Sequence, residues 1–369
     1  MKRKKYFSFA LSSLIRTFVS MNHPYRLPAE WERQSMVQLT WPHAGTDWAD
    51  MLDEINEVYV IMAREIARRE RLLIVTPEPE HVQELLGDME NVVYCCCPTD
   101  DTWARDHGFI TLEETGRGGN GDFILKDFRF NGWGEKFPAA NDNMINSRLW
   151  NNYSLFKRGV YEGHDNFVLE GGSIESDGQG TVFTTSQCLL APHRNQPLTK
   201  DQIELKLKNY LCADRIVWLD HGNLIGDDTD GHIDTIVRCA PDDTLLYIGC
   251  DDKTDGQYED FRLLEQQLLQ LRTRDGKPYR LLRLPMPDAI YEEVSPGNTE
   301  RLPATYANFL ILNGAVLVPT YGQPAKDAEA LRIIGKAFPD RELVAIDSRA
   351  IIRQHGSIHC CTMQFPEGV

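Results

Sequence analysis

The chain has 369 residues, a mass of 42.2 kDa, and 42% hydrophobic and 25% charged residues, a composition typical of a globular protein with a large core. The net charge of −16 argues against nucleic acid or an anionic membrane as a partner. An acidic balance also serves solubility, but it suits a cationic ligand, and no segment has the apolar length of a membrane span.

The first twenty residues differ from the rest of the chain. A basic start at 1–5 is followed by a semi-apolar stretch at 7–20, as in a weak signal peptide. Arg16 interrupts this stretch, and no A-x-A cleavage pattern follows it. We therefore expect residues 1–20 to be a disordered tail or an over-long start, and residues 21–369 to form a single domain.

The nine cysteines favour a reducing cytosol over an oxidising compartment, because their number is odd and several are adjacent. The triplet from Cys95 to Cys97 has no C-x-x-C partner pair, which argues against a zinc site. It follows an apolar run and precedes Pro98, so we interpret it as the end of a buried strand in which cysteine acts as a small hydrophobic residue.

Strands and helices alternate in chain order. The first unit is a strand at 36–41, an amphipathic helix within 47–69 and a strand at 72–75. Apolar residues at helical spacing define one face of this helix: Leu52, Ile55, Val58, Ile61 and Met62. The later predicted elements are a helix at 81–89, strands at 91–94, 110–112, 123–125 and 181–184, a helix at 200–211, strands at 215–219 and 244–248, a helix at 258–272, strands at 279–284, 309–312 and 315–319, a helix at 326–338 and a strand at 342–346.

These elements repeat as a hairpin, a helix and a strand, four or five times, without sequence identity between the copies. The hairpin signal is strongest at Asn313-Gly314, and the glycine-rich run at 116–121 predicts a second hairpin turn. Such an order favours either a closed ring of small mixed sheets or a doubly wound sheet. No linker rich in Pro, Gly or Ser separates the copies, so one domain is expected.

Cys360 stands near the end of the chain, in the run from His355 to Thr362. A lone cysteine is most often a buried core residue, but a thiol with an imidazole and carboxylates from distant segments can form a nucleophilic site. If the run is strand-like, alternation directs Cys360 and Cys361 to opposite faces, and one thiol at most faces a given site.

His232 follows the polar, turn-rich loop at 226–231, so it does not lie on an apolar helix face. In an extended segment, His232 and Asp234 would project to the same side and could share one cleft. A carboxylate beside a histidine favours the imidazolium, which can deliver a proton to a leaving amine. The alternatives are a metal-ligand pair or a plain surface loop, although the spacing does not match an EF-hand calcium loop.

Two further carboxylates, Asp106 and Glu170, lie in short marked segments. Asp106 ends the run that begins at Trp103, and Glu170 precedes Gly171-Gly172, which allow a ligand to approach the backbone closely. Each carboxylate alone is more often structural. Together, the two carboxylates could accept hydrogen bonds from a planar cation, in the plane of that cation. Trp103 could lie against the face of the cation, unless it is a core residue.

These residues lie in motifs that resemble the agmatine deiminase family, within the guanidine-modifying superfamily that includes arginine deiminases and peptidylarginine deiminases. The resemblance extends from Leu27 to Phe365. The matching segments are 28–32 (PAEWE), 41–42 (WP), 103–106 (WARD), 131–134 (NGWG), 170–174 (EGGSI), 229–234 (TDGHID), 318–319 (VP) and 358–360 (IHC).

The resemblance implies an α/β fold, a five-bladed pseudo-symmetric α/β propeller of ββαβ units (the pentein fold), and a role for each matching residue. Cys360 resembles the nucleophile that forms an amidino intermediate, and His232 resembles the general acid and base. Asp106 and Asp234 resemble the carboxylates that grip the guanidinium, and Glu170 resembles the one that orients His232 and the site. No metal or organic cofactor is implied.

The expected activity is hydrolysis of agmatine to N-carbamoylputrescine and ammonia in putrescine and polyamine biosynthesis, by a cytoplasmic enzyme that the resemblance suggests is a homodimer. Three features depart from the family pattern: residues 354–357 (QHGS) replace a glycine-rich run, Cys361 replaces an aliphatic residue, and Thr235 stands where many relatives have an acid. They put the substrate preference in question more than the reaction class.

Three alternatives stay open at this point. A peptidylarginine deiminase would use the same chemistry on protein arginine, and secretion of the chain would favour it. An amidinotransferase would resolve the same intermediate with an amine in place of water. A binding protein that has lost turnover is a non-enzyme alternative, which the intact set of Cys360, His232, Asp106, Asp234 and Glu170 disfavours.

Overall fold

The structure is a computed structural model, and it describes residues 23–116 and 121–369. The tail expected at 1–20 lies outside the described residues, as do residues 117–120 of the predicted turn. No helix in the described part of the chain combines the length and the apolar character that crossing a membrane requires.

The described residues form nineteen strands and nine α-helices, with five short 3₁₀ helices between them. The strands are β1 (Tyr25–Arg26), β2 (Gln34–Thr40), β3 (Arg71–Thr76), β4 (Val92–Cys96), β5 (Ile110–Glu114), β6 (Phe123–Arg129), β7 (Gly159–Val168), β8 (Ile174–Ser176), β9 (Thr181–Thr185), β10 (Arg215–Leu219), β11 (Val237–Ala240), β12 (Thr244–Gly249), β13 (Arg280–Pro285), β14 (Tyr291–Ser295), β15 (Asn298–Arg301), β16 (Leu310–Leu312), β17 (Ala315–Thr320), β18 (Glu342–Asp347) and β19 (Thr362–Pro366). The α-helices are α1 (Leu52–Ala67), α2 (Pro79–Leu86), α3 (Ala104–His107), α4 (Gly132–Glu135), α5 (Ile145–Asn152), α6 (Ser186–Leu189), α7 (Lys200–Tyr210), α8 (Tyr258–Gln270) and α9 (Pro324–Ala337).

Five mixed sheets share one pattern, in which two antiparallel strands are followed by helix and then by a strand parallel to the second. Four are the sets β5-β6-β7, β8-β9-β10, β11-β12-β13 and β16-β17-β18. The fifth is β19-β2-β3, in which the last strand of the chain pairs antiparallel with β2. β1 and β4 extend two of these sheets, and β14-β15 is a separate hairpin. The predicted repeat is confirmed, and the doubly wound alternative is wrong for the described strands, which form separate sheets.

The β16-β17-β18 unit explains how the sequence produces this pattern. Asn313-Gly314 joins β16 to β17, and Gly314 has a φ of 76°, a conformation that glycine adopts without the steric cost of a Cβ. Pro324 occupies the first turn of α9, where its missing N–H costs no hydrogen bond. β17 is nearly all buried and apolar, as expected for a strand between two others.

The helices pack apolar faces against the sheets, and α1 shows where the sequence pattern was incomplete. Ile55, Val58 and Met62 are buried as predicted, but Ile61 is 47% exposed. The prediction that Ile61 belongs to the buried face is wrong. That face of α1 includes Tyr59 and Ala63 instead, both of which are fully buried. The cysteine triplet does lie at the end of β4, with Cys95 and Cys97 buried and Cys96 exposed.

The connections between consecutive sheets carry the candidate site residues. α3 lies between β4 and β5, and one 3₁₀ helix, Gly171–Ser173, lies between β7 and β8. A second 3₁₀ helix, Ile233–Thr235, lies between β10 and β11. A turn that contains Cys360 joins β18 to β19. Each of these connections ends at the start of the next sheet, so residues far apart in sequence meet at one place.

Candidate active site

Gly172 lies at the centre of the candidate site. A Cβ atom at this position would lie 2.6 Å from His232 Nδ1, 2.9 Å from Asp106 Oδ1 and 3.2 Å from Asp234 Oδ2. Only glycine therefore fits here without displacing a site residue. The backbone N–H of Gly172 also donates a 3.1 Å hydrogen bond to Asp106 Oδ1. The structure thus brings together Gly172, Asp106 and the pair His232 and Asp234 from three different connections.

Asp106 is held by two donors. Its Oδ1 accepts from Gly172, and its Oδ2 accepts a 3.0 Å hydrogen bond from Trp133 Nε1. Burial raises the pKa of Asp106 to about 6; the nearby His232 opposes this shift, while the carboxylates of Asp234 and Glu170 add to it. The side chain is therefore fixed in position and becomes fully ionised only above mildly acidic pH.

His232 is fully buried, and neither ring nitrogen has a hydrogen-bond partner among the described residues. Its Nδ1 lies 3.6 Å from Asp106 Oδ1. Burial opposes the charged ring, but Asp106 and, after it, Cys188 and Glu170 together outweigh burial and hold the pKa of His232 well above its ordinary value. His232 and Asp234 converge through the 3₁₀ turn Ile233–Thr235, so the prediction of an extended segment is wrong although both residues reach the same place.

Glu170 lies close to His232 and is fully buried. Its Oε1 accepts a 2.7 Å hydrogen bond from Arg194 Nε, and its Oε2 has no partner. One atom each of Glu170, His232 and Cys188 lie within 4.8 Å of one another. The ion pair with Arg194 offsets the cost of burying the Glu170 carboxylate, which leaves its second oxygen available to the imidazole.

Cys360 is 5% exposed, and Asn308 positions it. Asn308 Oδ1 accepts hydrogen bonds from the backbone N–H groups of His359 (3.0 Å) and Cys360 (3.3 Å), and it lies 3.4 Å from Cys360 Sγ. Burial raises the pKa of the Cys360 thiol well above its ordinary value, and the charges of Asp234 and Asp106 add to this effect. The thiol of the free protein is therefore neutral.

Cys361 lies beside Tyr59 in the core and does not line the cavity that contains Cys360. Burial raises the pKa of Cys361 to about 12. The two thiols are separated as expected, but not by strand alternation, because Cys360 and Cys361 lie in a turn and β19 begins at Thr362.

A narrow acidic cavity connects the site to the surface. Trp103, Asp106 and Cys360 line it, together with Trp133 and Phe137. Trp103 is 5% exposed, packs against Trp133 with ring centroids 6.5 Å apart, and donates to Asp101 Oδ2 at 2.9 Å, so it forms a fixed apolar wall. The remaining cavity residues are mostly acidic or polar: Asp47, Asp101, Asp227, Asp228, Thr229, Thr235, Gln354, His355 and Gly356.

Sequence reasoning missed several residues that touch these groups. Asn308, Arg194 and Cys188 lie in segments that were not singled out. His359 belongs to a recognised motif but was given no role, and its Nδ1 lies 2.6 Å from Asp234 Oδ2. A histidine next to the candidate nucleophile was the one signal in the sequence that could have drawn attention to it.

Two clusters of the described residues have ligand atoms close enough for a metal ion: Glu170, Cys188 and His232, and Glu30, Glu175 and His359. In each cluster a carboxylate is already paired with a buried arginine, Arg194 in the first and Arg238 in the second. The arginines supply the positive charge that a metal would bring, so the geometry gives no reason to invoke one.

The arrangement of a thiol, an imidazolium and carboxylates in an acidic cavity fits nucleophilic attack on the carbon of a bound cation. The fold and the motifs together define a family: the chain belongs to the Porphyromonas-type peptidyl-arginine deiminase family, whose model matches residues 26–366.

Three relatives place the chain within that family. The agmatine deiminase of Medicago truncatula is 33% identical over 93% of this chain and 97% of its own length. A structure of C. jejuni agmatine deiminase, a cysteine-to-serine variant with substrate bound, is 35% identical and superimposes with a TM-score of 0.84 over 94% of this chain and 97% of that one. A Porphyromonas gingivalis structure, provisionally named an arginine deiminase, is 46% identical with a TM-score of 0.85 over 93% and 99%. The mixed α/β fold therefore matches that of agmatine deiminases.

Proposed function

We propose that the protein is an agmatine deiminase, which hydrolyses agmatine to N-carbamoylputrescine and ammonia through a cysteine intermediate. The observation that carries the proposal is the position of the Cys360 thiol, buried beside the carboxylates of Asp106 and Asp234 at the inner end of an acidic cavity. The similarity to agmatine deiminases over nearly the whole chain supports it.

The guanidinium binds through charge-assisted hydrogen bonds to Asp106 and Asp234. Asp234 has one oxygen bound to His359 and a second, Oδ1, that is buried without a partner. An unpaired buried carboxylate oxygen is costly unless a ligand satisfies it, and a guanidinium N–H is a suitable donor. Trp103 stacks against the flat face of the cation or confines its chain.

Binding of the cation also generates the nucleophile. In the free protein, Asp106 and Asp234 oppose ionisation of Cys360. A guanidinium between the carboxylates and the sulfur neutralises that field and stabilises the thiolate, so the pKa of Cys360 falls when the substrate binds. Without substrate, Cys360 is thus an unreactive neutral thiol, and it becomes a nucleophile only when the substrate is bound.

The thiol proton passes to solvent when the substrate binds, and the thiolate then attacks the guanidinium carbon, so that a C–S bond forms. His232, protonated in the free protein, gives its proton to the departing nitrogen, and the C–N bond breaks to release ammonia. The neutral His232 next takes a proton from water, which attacks the amidino-thioether. The C–S bond then breaks, the sulfur leaves as the thiolate, and the remaining hydroxyl proton passes from the ureido group to the sulfur, which restores the thiol and releases the neutral ureido product. Glu170 orients His232 throughout, and Arg194 holds Glu170 in place.

The distal ammonium of agmatine would lie in the outer part of the cavity, where Asp47, Asp227 and Asp228 line the wall. A cluster of carboxylates at this end favours a substrate with a second positive charge. The uncharged backbone of a peptide gains nothing from it, which favours agmatine over peptidyl-arginine.

The same observations support a more detailed description of the whole protein. We infer that the five mixed sheets are blades of a five-bladed α/β propeller, because all five have the same strand pattern and β19 joins the end of the chain to the first sheet. Residues 21–369 then form one domain. The nine free cysteines suit the cytoplasm, and a homodimer is the assembly to test by light scattering.

Peptidylarginine deimination is the second candidate function, and the description of the matching family model favours it. The deciding experiment measures ammonia release from agmatine, free arginine and a peptidyl-arginine in parallel. Release from agmatine at a far higher kcat/KM than from the other two supports the proposal. Release from the peptide without release from agmatine would assign the protein to the second function. An amidinotransferase would transfer the amidino group to an added amine, and a binding protein would release no ammonia from any of the three.

A further inference from the structure

The motif at 28–32 has no part in the mechanism above, yet its Glu30 reaches the site. His359 lies between two carboxylates: Nδ1 is 2.6 Å from Asp234 Oδ2, and Nε2 is 2.8 Å from Glu30 Oε2. His359 is 1% exposed, Asp234 is fully buried, and the Glu30 side chain is 9% exposed. A fixed series of hydrogen-bonded charged groups, the charge chain, therefore links the N-terminal motif to Asp234, the carboxylate proposed to bind the substrate.

The two short distances determine the charge of His359. A neutral imidazole has one N–H and one lone pair, so it could donate to only one carboxylate and would turn its lone pair towards the other. With both nitrogens within hydrogen-bond distance of carboxylate oxygens, the ring is doubly protonated. The imidazolium compensates the burial of two negative charges.

The charge chain continues beyond Glu30 to Arg238. Glu30 Oε2 also accepts a 2.7 Å hydrogen bond from Arg238 Nη2, and Arg238 Nε donates to Glu175 Oε1. Arg238 is fully buried and also donates to the carbonyl oxygens of Ala307 and Phe309, so its position is fixed by the backbone that precedes β16. Positive and negative groups alternate along the charge chain, from Asp234 to Glu175.

We propose that His359 and Glu30 are positioning residues, which keep Asp234 ionised and turn its free oxygen Oδ1 towards the guanidinium. Asp234 Oδ2 is occupied by His359, and Oδ1 is the buried oxygen without a partner. Rotation of the carboxylate would break a charge-assisted hydrogen bond, so His359 fixes which oxygen faces the substrate. This role rests on the proposed function, in which Asp234 binds the substrate.

The pKa shifts of the two carboxylates in the charge chain support this role. Burial alone would raise the pKa of Asp234, but the hydrogen bond and charge of His359 hold it below its ordinary value. Burial is likewise outweighed at Glu30, where His359 and Arg238 hold the pKa well below its ordinary value. Removing the Glu30 carboxylate takes away one of the two acceptors that hold the His359 ring, and a ring that moves no longer fixes Asp234 Oδ2.

A second cavity borders the charge chain. Glu30, Glu175 and His359 line a cavity of about 430 Å³ that does not contain Cys360. Glu32 lines the same cavity, but it pairs with Arg26 and has no link to Asp234. Glu32→Gln is therefore a matched control for Glu30→Gln, since each removes one carboxylate charge from the same cavity wall.

The kinetic test compares KM and kcat for agmatine in the wild type, Glu30→Gln, His359→Asn and Glu32→Gln. Loss of a hydrogen bond to a charged group is expected to raise KM about tenfold or more in the first two variants, with a smaller change in kcat, and to leave Glu32→Gln unchanged. The Glu30→Gln, His359→Asn double variant is expected to match the single ones, because all act through Asp234. Additive effects, or an unchanged KM in both single variants, would overturn the proposal.

A second measurement needs no turnover, so it separates this inference from the proposed function, which wild-type ammonia release tests directly. ¹⁵N NMR of histidine-labelled protein at neutral pH is expected to show His359 doubly protonated in the wild type, with the signal assigned by its loss in His359→Asn. A neutral His359 in the wild type would refute the charge chain. If Glu30→Gln does not fold, the wild-type spectrum and the KM of His359→Asn decide.

Discussion

At the residue scale, the charges around Cys360 oppose its ionisation in the free protein. Burial and the carboxylates of Asp234 and Asp106 all raise the pKa of the thiol. The same carboxylates attract a guanidinium, so one pair of residues both suppresses the nucleophile and recruits the ligand that releases it. Tests at this scale should therefore distinguish the role of Cys360 from that of Cys361, and the role of Asp106 from that of Asp101.

Cys360→Ser is expected to lower kcat by about 10³-fold or more, because a hydroxyl is a far weaker nucleophile than a thiolate. Cys361→Ser is the matched control: it is expected to retain turnover and to lose about 1–3 kcal/mol of stability, because Cys361 is fully buried beside Tyr59. Ammonia release and urea denaturation of both variants provide the measurement. Normal turnover by Cys360→Ser with none by Cys361→Ser would move the nucleophile by one residue.

Asp106 predicts an acid limb in the pH profile. Its pKa is raised to about 6, so the carboxylate is protonated below that pH and no longer attracts the guanidinium. The value of kcat/KM for agmatine should therefore fall as the pH drops through about 6. Steady-state kinetics between pH 5 and 8 measure this dependence.

Asp101 supplies the control for that assignment, because burial raises its pKa to about 6 as well and it lines the same cavity. Asp101→Asn should keep the acid limb, whereas Asp106→Asn should lose most activity at every pH. Disappearance of the limb in Asp101→Asn would assign the titration to Asp101 instead.

At the element scale, short turns determine the site, and they are the elements that the sequence predicts least well. Long helices and strands have a periodic apolar pattern, and those that were predicted lie within a few residues of the predicted bounds. The strands β7, β8 and β11 of the repeated unit were not predicted. The 3₁₀ helix Ile233–Thr235 and the turn at Cys360 are too short for a period, so both were predicted as extended. The motifs identified the residues even where the predicted backbone was wrong.

Contacts between distant segments were also beyond sequence reasoning. Asn308 lies 52 positions before Cys360, and Glu30 lies 329 positions before His359. Nothing in the local sequence connects such pairs, because they meet only when successive sheets bring their connections together. The candidate residues could be named from motifs, but their partners required the fold.

The 3₁₀ helix Gly171–Ser173 gives the test at this scale. A methyl group at Gly172 would lie 2.6 Å from His232 Nδ1 and 2.9 Å from Asp106 Oδ1, so Gly172→Ala must displace one of these side chains. A displacement of about 1 Å in a catalytic site costs about 10²-fold in rate, and we expect a loss of this size in kcat/KM. Stability should fall by about 1–3 kcal/mol through overpacking.

Gly163→Ala in β7 is the matched control, since a Cβ there makes only ordinary contacts at 3.5 Å with Tyr161. It should leave kcat/KM unchanged. Full activity in Gly172→Ala would contradict the close approach of the 3₁₀ helix to His232 and Asp106. Measuring both variants under the same conditions separates crowding of the site from a general effect of replacing glycine.

At the scale of the whole molecule, the last strand, β19, lies in the same sheet as β2, the second strand of the described chain. β19 pairs with β2 directly after the turn that holds Cys360, and Glu30 contacts His359 close by. The position of the thiol thus depends on closure between the beginning and the end of the chain. A change in β19 should therefore affect global stability and activity together.

Phe365→Ala tests this dependence. Phe365 is fully buried, faces Met36 across the β19-β2 pair and packs against Phe156 with ring centroids 5.4 Å apart. Its truncation should cost about 3–5 kcal/mol. Because β19 follows Cys360 by two residues, kcat/KM should fall as well, and urea unfolding should remain a single transition. Gln364→Ala, on the opposite face of β19, should change stability by no more than about 0.5 kcal/mol. If Phe365→Ala unfolded in two steps, with β19 released first while the rest stayed folded, the strand would be an appendage to the first sheet and closure would not support the site.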